Sequence, residues 1–137
     1  MQYLIDNDKV PWGKQIPDDP NKSFWTMKFM GTEIFINVSH PNHKNRKSRN
    51  LCNALVLVIN PRERFDHVGK DIRNKIRSNV DIYDEIARSP LLGHYHDGEL
   101  EWPQYMLPDD NNSEPLECRL KFKEHVSDSI DAKAEKI

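Results

Sequence analysis

The sequence predicts an α+β fold in which a small, mainly antiparallel sheet carries one main amphipathic helix packed on it, as part of a longer protein. Three observations support this prediction. Two β-type runs meet at Gly31, residues 53–59 form an almost continuous apolar run of strand length, and apolar residues recur at helical spacing between Lys70 and Arg88. The chain contains no internal repeat and no low-complexity segment.

The first two strands are predicted to form a hairpin. Residues 9–23 contain three prolines and a glycine, which is the composition of a loop. Residues 24–30 are rich in aromatic side chains, and residues 33–38 follow after only Gly31 and Thr32. Two β-type runs separated by such a short, glycine-containing step are typical of a β-hairpin.

A third strand and a helix start are predicted next. Because residues 53–59 are apolar without alternation, we expect a strand that is buried on both faces. Asn60 can cap a helix, Pro61 suits the first helical position, and Glu63 occupies the reciprocal position of a capping box. A short helix is therefore expected directly after this strand.

The main helix is predicted from Lys70 to Arg88. Its apolar residues recur every three or four positions and would form one face of an amphipathic helix. They are Ile72, Ile76, Val80, Tyr83, Ile86 and Ala87. Gly69 separates this helix from the short one before it, and Ser89-Pro90 is expected to end it.

The last third of the chain is predicted to be mostly loop. Residues 89–101 carry glycines and histidines without periodicity, and residues 102–107 are expected to form an edge strand, because Pro103 cannot donate to a central ladder. Residues 118–122 alternate and predict a last short strand. Residues 124–137 are charged and weakly amphipathic, so we expect a tail that is a frayed helix or disordered.

Composition limits the classes of function. The chain has 137 residues, 36% of them hydrophobic, and a formal net charge of -2, so it can form one domain with a small core. A charge this close to zero argues against a protein whose whole surface binds nucleic acid or an anionic membrane. Without a signal-peptide pattern or a long apolar run, a cytoplasmic location is expected. Cys52 and Cys118 lie far apart and predict two free thiols.

The segment Ser39–Asn50, here called the basic loop, is the most unusual part of the sequence. It has two histidines and four cations but no acidic residue. Arg46 and Arg49 could hold a phosphate or carboxylate through their planar forks, including a haem propionate. A nucleic-acid contact is less favoured, because no aromatic residue is interleaved with the cations. A solvated loop that keeps a sheet edge soluble explains the charge equally well.

His40 and His43 are candidate metal ligands within the basic loop. A single imidazole whose second nitrogen is fixed by the backbone is what an axial haem ligand requires. A zinc or iron site would need further ligands, for which His94, His96 and Asp97 are the available remote donors. The alternative is that all of these are ordinary loop side chains.

Five separated blocks, in order, carry a resemblance to a known family. The five blocks are FINVS, RKSRN, VINPRERFD, IRNKIR together with the YD that follows it, and EWPQYMLPDDN. Together they resemble the YqcI/YcgG family over about residues 10–122. The family usually has Trp-Lys-Gln-Tyr where this chain has Trp-Pro-Gln-Tyr at residues 102–105. It usually has Cys-Pro-Phe where this chain has Cys-Arg-Leu at residues 118–120.

The resemblance implies that residues 1–123 are the C-terminal portion of a YqcI/YcgG-like domain, since family members usually carry a preceding α/β segment. The apolar start of the chain, which looks like the end of a helix, agrees with this expectation. A homodimer is allowed, because a sheet edge or core face covered by the missing segment would be exposed.

Some relatives in this family are haem-dependent N-oxygenases that hydroxylate a guanidine nitrogen. The resemblance therefore implies haem as cofactor, a guanidine or amine small molecule as substrate, and His40 or His43 as the iron ligand, with Arg46 and Arg49 on the propionates. The competing hypothesis is a non-catalytic module that binds a small molecule or anion through residues 40–50.

Overall fold

The computed structural model describes residues 1–114 and 118–121. The helices are α1 (Gln2–Asn7), α2 (Glu63–Asp66) and α3 (Lys70–Asp84), and the strands are β1 (Met27–Phe29), β2 (Thr32–Ser39) and β3 (Val56–Pro61). Three short 3₁₀ helices cover Lys47–Arg49, Tyr95–Asp97 and Trp102–Gln104. Among the described residues, no helix combines the length and apolar character needed to cross a membrane.

The three strands form one antiparallel sheet in the order β1-β2-β3. β1 and β2 are joined by Met30 and Gly31, whose φ angles are 49° and 80°. A tight two-residue hairpin turn whose twist matches that of the flanking strands requires positive φ at both central residues. The predicted hairpin and the predicted α+β fold class with an antiparallel sheet are confirmed.

The core lies on one face of β2. Ile34, Ile36 and Val38 alternate along this strand and are buried, as the two-residue period of a strand requires. The other buried apolar residues that pack with them come from α1, the loop after it, β1 and the segment after the last 3₁₀ helix. They are Ile5, Trp12, Ile16, Trp25, Met27 and Tyr105.

A buried ion pair ties the sheet to the segment that follows α3. The Arg62 guanidinium contacts the Glu101 carboxylate, and each residue is only 2% exposed. Glu101 Oε1 also accepts hydrogen bonds from Thr26 Oγ1 (2.9 Å) and from the Tyr105 hydroxyl (2.5 Å). The Tyr105 hydroxyl in turn accepts from Met27 N–H (3.3 Å), and burial raises the pKa of Tyr105 to about 12. This cluster fixes where residues 101–105 meet β1 and the end of β3.

The prediction that residues 53–59 form a strand buried on both faces is wrong. β3 is the edge of the sheet within the described part of the chain, and its residues alternate between half-buried and exposed. Leu57 and Ile59 pair with Val38 and Ile36 on the core face, yet each is 48% exposed. An exposed apolar edge strand favours association with another chain, and a homodimer through this edge stays a prediction.

The predicted helix cap at Asn60 is also wrong. Asn60 and Pro61 lie inside β3, where Asn60 pairs with Phe35. The strand contact extends one residue further, because Arg62 N–H donates to the Glu33 carbonyl at 2.9 Å. α2 therefore begins at Glu63, two residues later than the capping pattern indicated.

The main helix is confirmed, but it ends earlier and faces the other way. It ends at Asp84, four residues before the predicted end at Arg88. The next residue, Glu85, adopts a left-handed conformation (φ 58°), which terminates the helix. Arg73 and Arg77 point toward the body of the protein, while the predicted apolar stripe is exposed to solvent. That stripe includes Ile72, Ile76, Val80 and Tyr83, all exposed. Polar contacts therefore hold α3 in place.

The two predicted C-terminal strands are not formed by the described residues. Residues 102–107 contain the 3₁₀ helix Trp102–Gln104 instead of an edge strand, because Pro103 suits the first turn of a helix. Residues 118–121 have no strand, and Phe122 lies outside the described residues, as does the predicted tail at 124–137.

Candidate functional site

The basic loop folds back on itself. His40 N–H donates to the Arg49 carbonyl at 2.8 Å, so the two ends of the loop are joined by the backbone. The Asn50 side chain closes the interior by donating to the carbonyls of Pro41 (3.2 Å) and His43 (2.9 Å). The loop is thus a defined structure rather than an open turn.

The anion that this loop holds is the side chain of Asp109. The backbone N–H groups of Lys44, Asn45 and Arg46 all donate to its carboxylate, at 2.9–3.0 Å. Consecutive N–H groups that converge in this way form an anion-binding nest. Burial tends to raise the pKa of Asp109, but these three hydrogen bonds outweigh it, so the pKa lies below its usual range.

The other end of the loop is attached to the end of α3. Ser48 N–H and Ser48 Oγ donate to the two carboxylate oxygens of Asp84, each at 2.7 Å. Lys47 forms an ion pair with Glu85. The loop therefore links β2, α3 and residues 104–111.

The two arginines predicted to bind a ligand are directed to different places. Arg46 is buried, and its guanidinium donates to the Pro108 carbonyl (2.7 Å) and to the Asn111 side chain. The Arg49 guanidinium donates to the carbonyls of Tyr105 (3.3 Å) and Gln104 (3.2 Å). The structure does not bring these two guanidinium groups together at one ligand site.

The two histidines also differ. His43 is buried, with Nε2 2.7 Å from the Leu107 carbonyl and Nδ1 3.3 Å from the His40 carbonyl. Because a carbonyl oxygen only accepts, Nε2 must carry a proton and cannot bind a metal in this geometry. His40 is half-buried; its Nδ1 accepts from Asn42 N–H at 3.1 Å, and its Nε2 has no hydrogen-bond partner among the described residues.

A cavity of about 690 Å³, here called the larger cavity, lies beside the basic loop. Its wall is mostly apolar and includes both histidines but neither Arg46 nor Arg49. Its volume falls within the roughly 300–1,000 Å³ of small-molecule and cofactor sites. The wall residues that matter for chemistry are His40, His43, Trp102, Met106, Cys118 and Arg119.

Sequence reasoning missed Trp102, Cys118 and Arg119 as wall residues. Cys118 is a second candidate ligand for iron, since a cysteine thiolate can bind haem iron. Burial raises the pKa of the Cys118 thiol, which disfavours the thiolate. The adjacency of a cysteine and an arginine at 118–119 carried no signal, because their place on the cavity wall depends on the path of the chain.

The remote donors proposed for a zinc or iron site do not join the loop histidines. Within residues 1–114 and 118–121, no group of three or more His, Cys, Asp or Glu side chains could hold a metal ion. His94 Nε2 instead accepts from Arg73 at 3.1 Å, and His96 lies 3.3 Å from Asp66 Oδ1. Burial, followed by the neighbouring Arg73 and Arg62, lowers the pKa of His94.

Comparison with known proteins identifies related sequences. Residues 1–120 match the family model described as the YqcI/YcgG family. A Streptomyces lavendulae protein with the provisional name N(omega)-hydroxy-L-arginine synthase DcsA is 39% identical over 129 residues, which cover 90% of this chain and 49% of that protein.

Two proteins of Bacillus subtilis (strain 168) are also similar. The Uncharacterized protein YqcI is 34% identical over 119 residues, covering 82% of this chain and 46% of the relative. The Uncharacterized protein YcgG is 34% identical over 117 residues, covering 80% and 46%. The chain spans about half the length of these relatives, and no solved structure matches it.

Proposed function

Because the chain belongs to the YqcI/YcgG family, we propose that it is part of a cytoplasmic, haem-dependent N-oxygenase that hydroxylates a nitrogen of a guanidine or amine small molecule. The relative from Streptomyces lavendulae, whose name describes the synthesis of N(omega)-hydroxy-L-arginine, supports the reaction class. The observation that carries the proposal is the apolar larger cavity with an imidazole on its wall.

The larger cavity fits a haem in volume and in the apolar character of its wall. His40 is the ligand we assign to iron, because its Nε2 is free and His43 Nε2 is already engaged. Because His40 Nδ1 accepts from Asn42 N–H, the neutral ring carries its proton at Nε2. Iron binding at Nε2 would require this proton to move to Nδ1 and the hydrogen bond from Asn42 to break, whereas at His43 it would require the buried bond to the Leu107 carbonyl to break.

The remaining residues on the wall of the larger cavity would orient the haem and shield it from water. Trp102, Leu107 and Leu120 supply apolar surface that excludes water, and Arg119 is the arginine on the wall that suits a carboxylate of the porphyrin. Bound haem would supply iron that activates oxygen for transfer to nitrogen. The residues of this chain would contribute the iron ligand, the polarity of the cavity and the access of small molecules to it.

The competing hypothesis of an anion held by residues 40–50 cannot use most of the donors of this loop, and Arg49 is the cation of the loop that lines a cavity. The backbone donors at Lys44, Asn45 and Arg46 are taken by Asp109, and those of Ser48 by Asp84. The loop supports its neighbours instead of presenting these groups to solvent.

Turnover of L-arginine tests the proposed function. We expect the protein, supplied with haem, a reductant and oxygen, to convert L-arginine into a product one oxygen atom heavier, measured by mass spectrometry. Omission of haem should abolish the product. A haem-loaded protein that leaves L-arginine and a panel of guanidines and amines unchanged would contradict the proposal.

A further inference from the structure

A second, smaller cavity of about 290 Å³ lies on the face of β2 opposite to Val38, which lines the larger cavity. We call it the arginine cavity. One wall is the face of β2 that carries Phe35 and Asn37, and another is the inward face of α3. Arg73 and Arg77 are four residues apart on α3 and so share that face. This explains why the polar face of α3 points inward.

The arginine cavity has a strong excess of positive charge. Its charged lining consists of five guanidinium groups and one carboxylate, that of Glu101. The five are Arg49, Arg62, Arg64, Arg73 and Arg77. Glu101 is occupied by Arg62, and Arg73 lies 3.5 Å from Asp97. The other three have no carboxylate within ion-pair distance among the described residues.

Two of these guanidinium groups are held in place by neutral acceptors. Arg49 donates to two backbone carbonyls, and Arg77 donates to the Gly93 carbonyl at 2.8 Å. Carbonyl oxygens fix the direction of a guanidinium but do not neutralise its charge. Burial, followed by repulsion from Arg46, lowers the pKa of Arg49 to about 10, and burial with repulsion from Arg73 lowers the pKa of Arg77. Both groups would gain from a bound anion.

The same cavity offers one free acceptor. The Asn37 side-chain oxygen is buried and has no hydrogen-bond partner among the described residues. A buried polar atom without a partner is costly, and it is satisfied when a ligand donor reaches it. Guanidinium forks for a carboxylate and an amide oxygen for an ammonium are the groups that recognise an α-amino acid.

We propose that the arginine cavity binds the α-amino acid end of a small molecule, with its carboxylate at Arg49 and Arg77 and its ammonium at the Asn37 oxygen. The volume suits a compact group, since it lies at the lower limit of small-molecule sites. The inference goes beyond the proposed function, because the arginine cavity shares no lining residue with the larger cavity and lies on the other face of β2.

Binding of L-arginine and agmatine to the full chain without added haem tests the proposal. Agmatine keeps the guanidine and the aliphatic chain of L-arginine but lacks the carboxylate. We expect calorimetry to show agmatine binding at least about tenfold more weakly, the loss expected for one charge-assisted contact. Arg77→Gln should weaken the binding of L-arginine by a similar factor and leave the affinity for agmatine unchanged.

Two further variants control for folding and for general charge. Lys75→Gln removes an exposed cation of α3 outside the cavity and should leave both affinities unchanged. Arg64→Gln removes an exposed lining cation whose side chain forms no hydrogen bond or ion pair among the described residues. This variant should therefore fold normally and still weaken the binding of L-arginine.

Equal affinities for L-arginine and agmatine, or equal effects of Arg77→Gln and Lys75→Gln, would overturn the assignment. Displacement of L-arginine by an equal concentration of inorganic phosphate would overturn it as well, since it indicates a general oxyanion site. A chain that shows the expected carboxylate dependence but refuses haem would contradict the proposed function and leave this site standing.

Discussion

Glu101→Ala is expected to lower the free energy of unfolding by about 3–5 kcal/mol, the loss typical of a broken buried ion pair. The substitution leaves the Arg62 guanidinium buried without its carboxylate. It also removes the acceptor for the hydroxyl groups of Thr26 and Tyr105. Urea denaturation followed by tryptophan fluorescence measures the effect, because Trp25 lies in the core and its ring centroid is 6.2 Å from that of Tyr105.

Two variants separate charge from packing in this experiment. Glu63→Ala removes an exposed carboxylate and should change the stability by no more than about 0.5 kcal/mol. Adding Arg62→Met to Glu101→Ala removes the unpaired charge and should recover part of the loss. A loss below about 1 kcal/mol for Glu101→Ala alone would show that the pair does not hold residues 101–105 in place.

Asp109→Ala is expected to cost about 2–3 kcal/mol, because hydrogen bonds to a charged group contribute more than neutral ones. Three consecutive backbone N–H groups of the basic loop would lose their acceptor. Asp109→Asn keeps one carbonyl oxygen of similar shape and should cost less. Thermal unfolding of the three proteins at neutral pH gives the comparison.

The contribution of Asp109 should also depend on pH. Its pKa is lowered in the folded protein relative to about 3.9 in the unfolded chain. The stabilisation is therefore fully present above about pH 4 and is lost as the pH falls through the lower, folded-state pKa. The stability difference between the wild type and Asp109→Ala should shrink on acidification. A difference that is constant down to pH 2 would mean that the carboxylate charge is not responsible.

Local sequence signals predicted the elements whose structure is decided locally. The hairpin follows from the conformational freedom of Gly31 and the aromatic and β-branched runs around it. The helix from Lys70 follows from its period, but its last residue, Asp84, is also the one that contacts Ser48 of the basic loop. Such a contact joins residues 36 positions apart and leaves no mark in a short window of sequence.

The errors arose where burial depends on distant residues. Residues 53–59 are apolar enough for a central strand, but within the described chain nothing covers the outer edge of β3. The basic loop stood out by its charge, but the anion that it holds through its backbone N–H groups is a side chain of the same protein. That the anion is Asp109 could not be predicted, because the two segments are separated by more than sixty residues.

The same limit applies to the candidate site. His40 and His43 are distinguished by their burial and by the Leu107 carbonyl, which lies 2.7 Å from His43 Nε2, and both depend on residues far from the basic loop in sequence. The arginine cavity draws its cations from the basic loop, from the start of α2 and from α3, so no single motif encodes it.

The visible absorption spectrum of the protein titrated with haem tests the central claim most directly. We predict a Soret band in the wild type that is lost in His40→Ala and retained in His43→Ala under conditions where the latter variant remains folded. A wild-type protein that stays colourless at micromolar haem, or a His40→Ala protein whose spectrum is identical to that of the wild type, would contradict the assignment of His40 to iron.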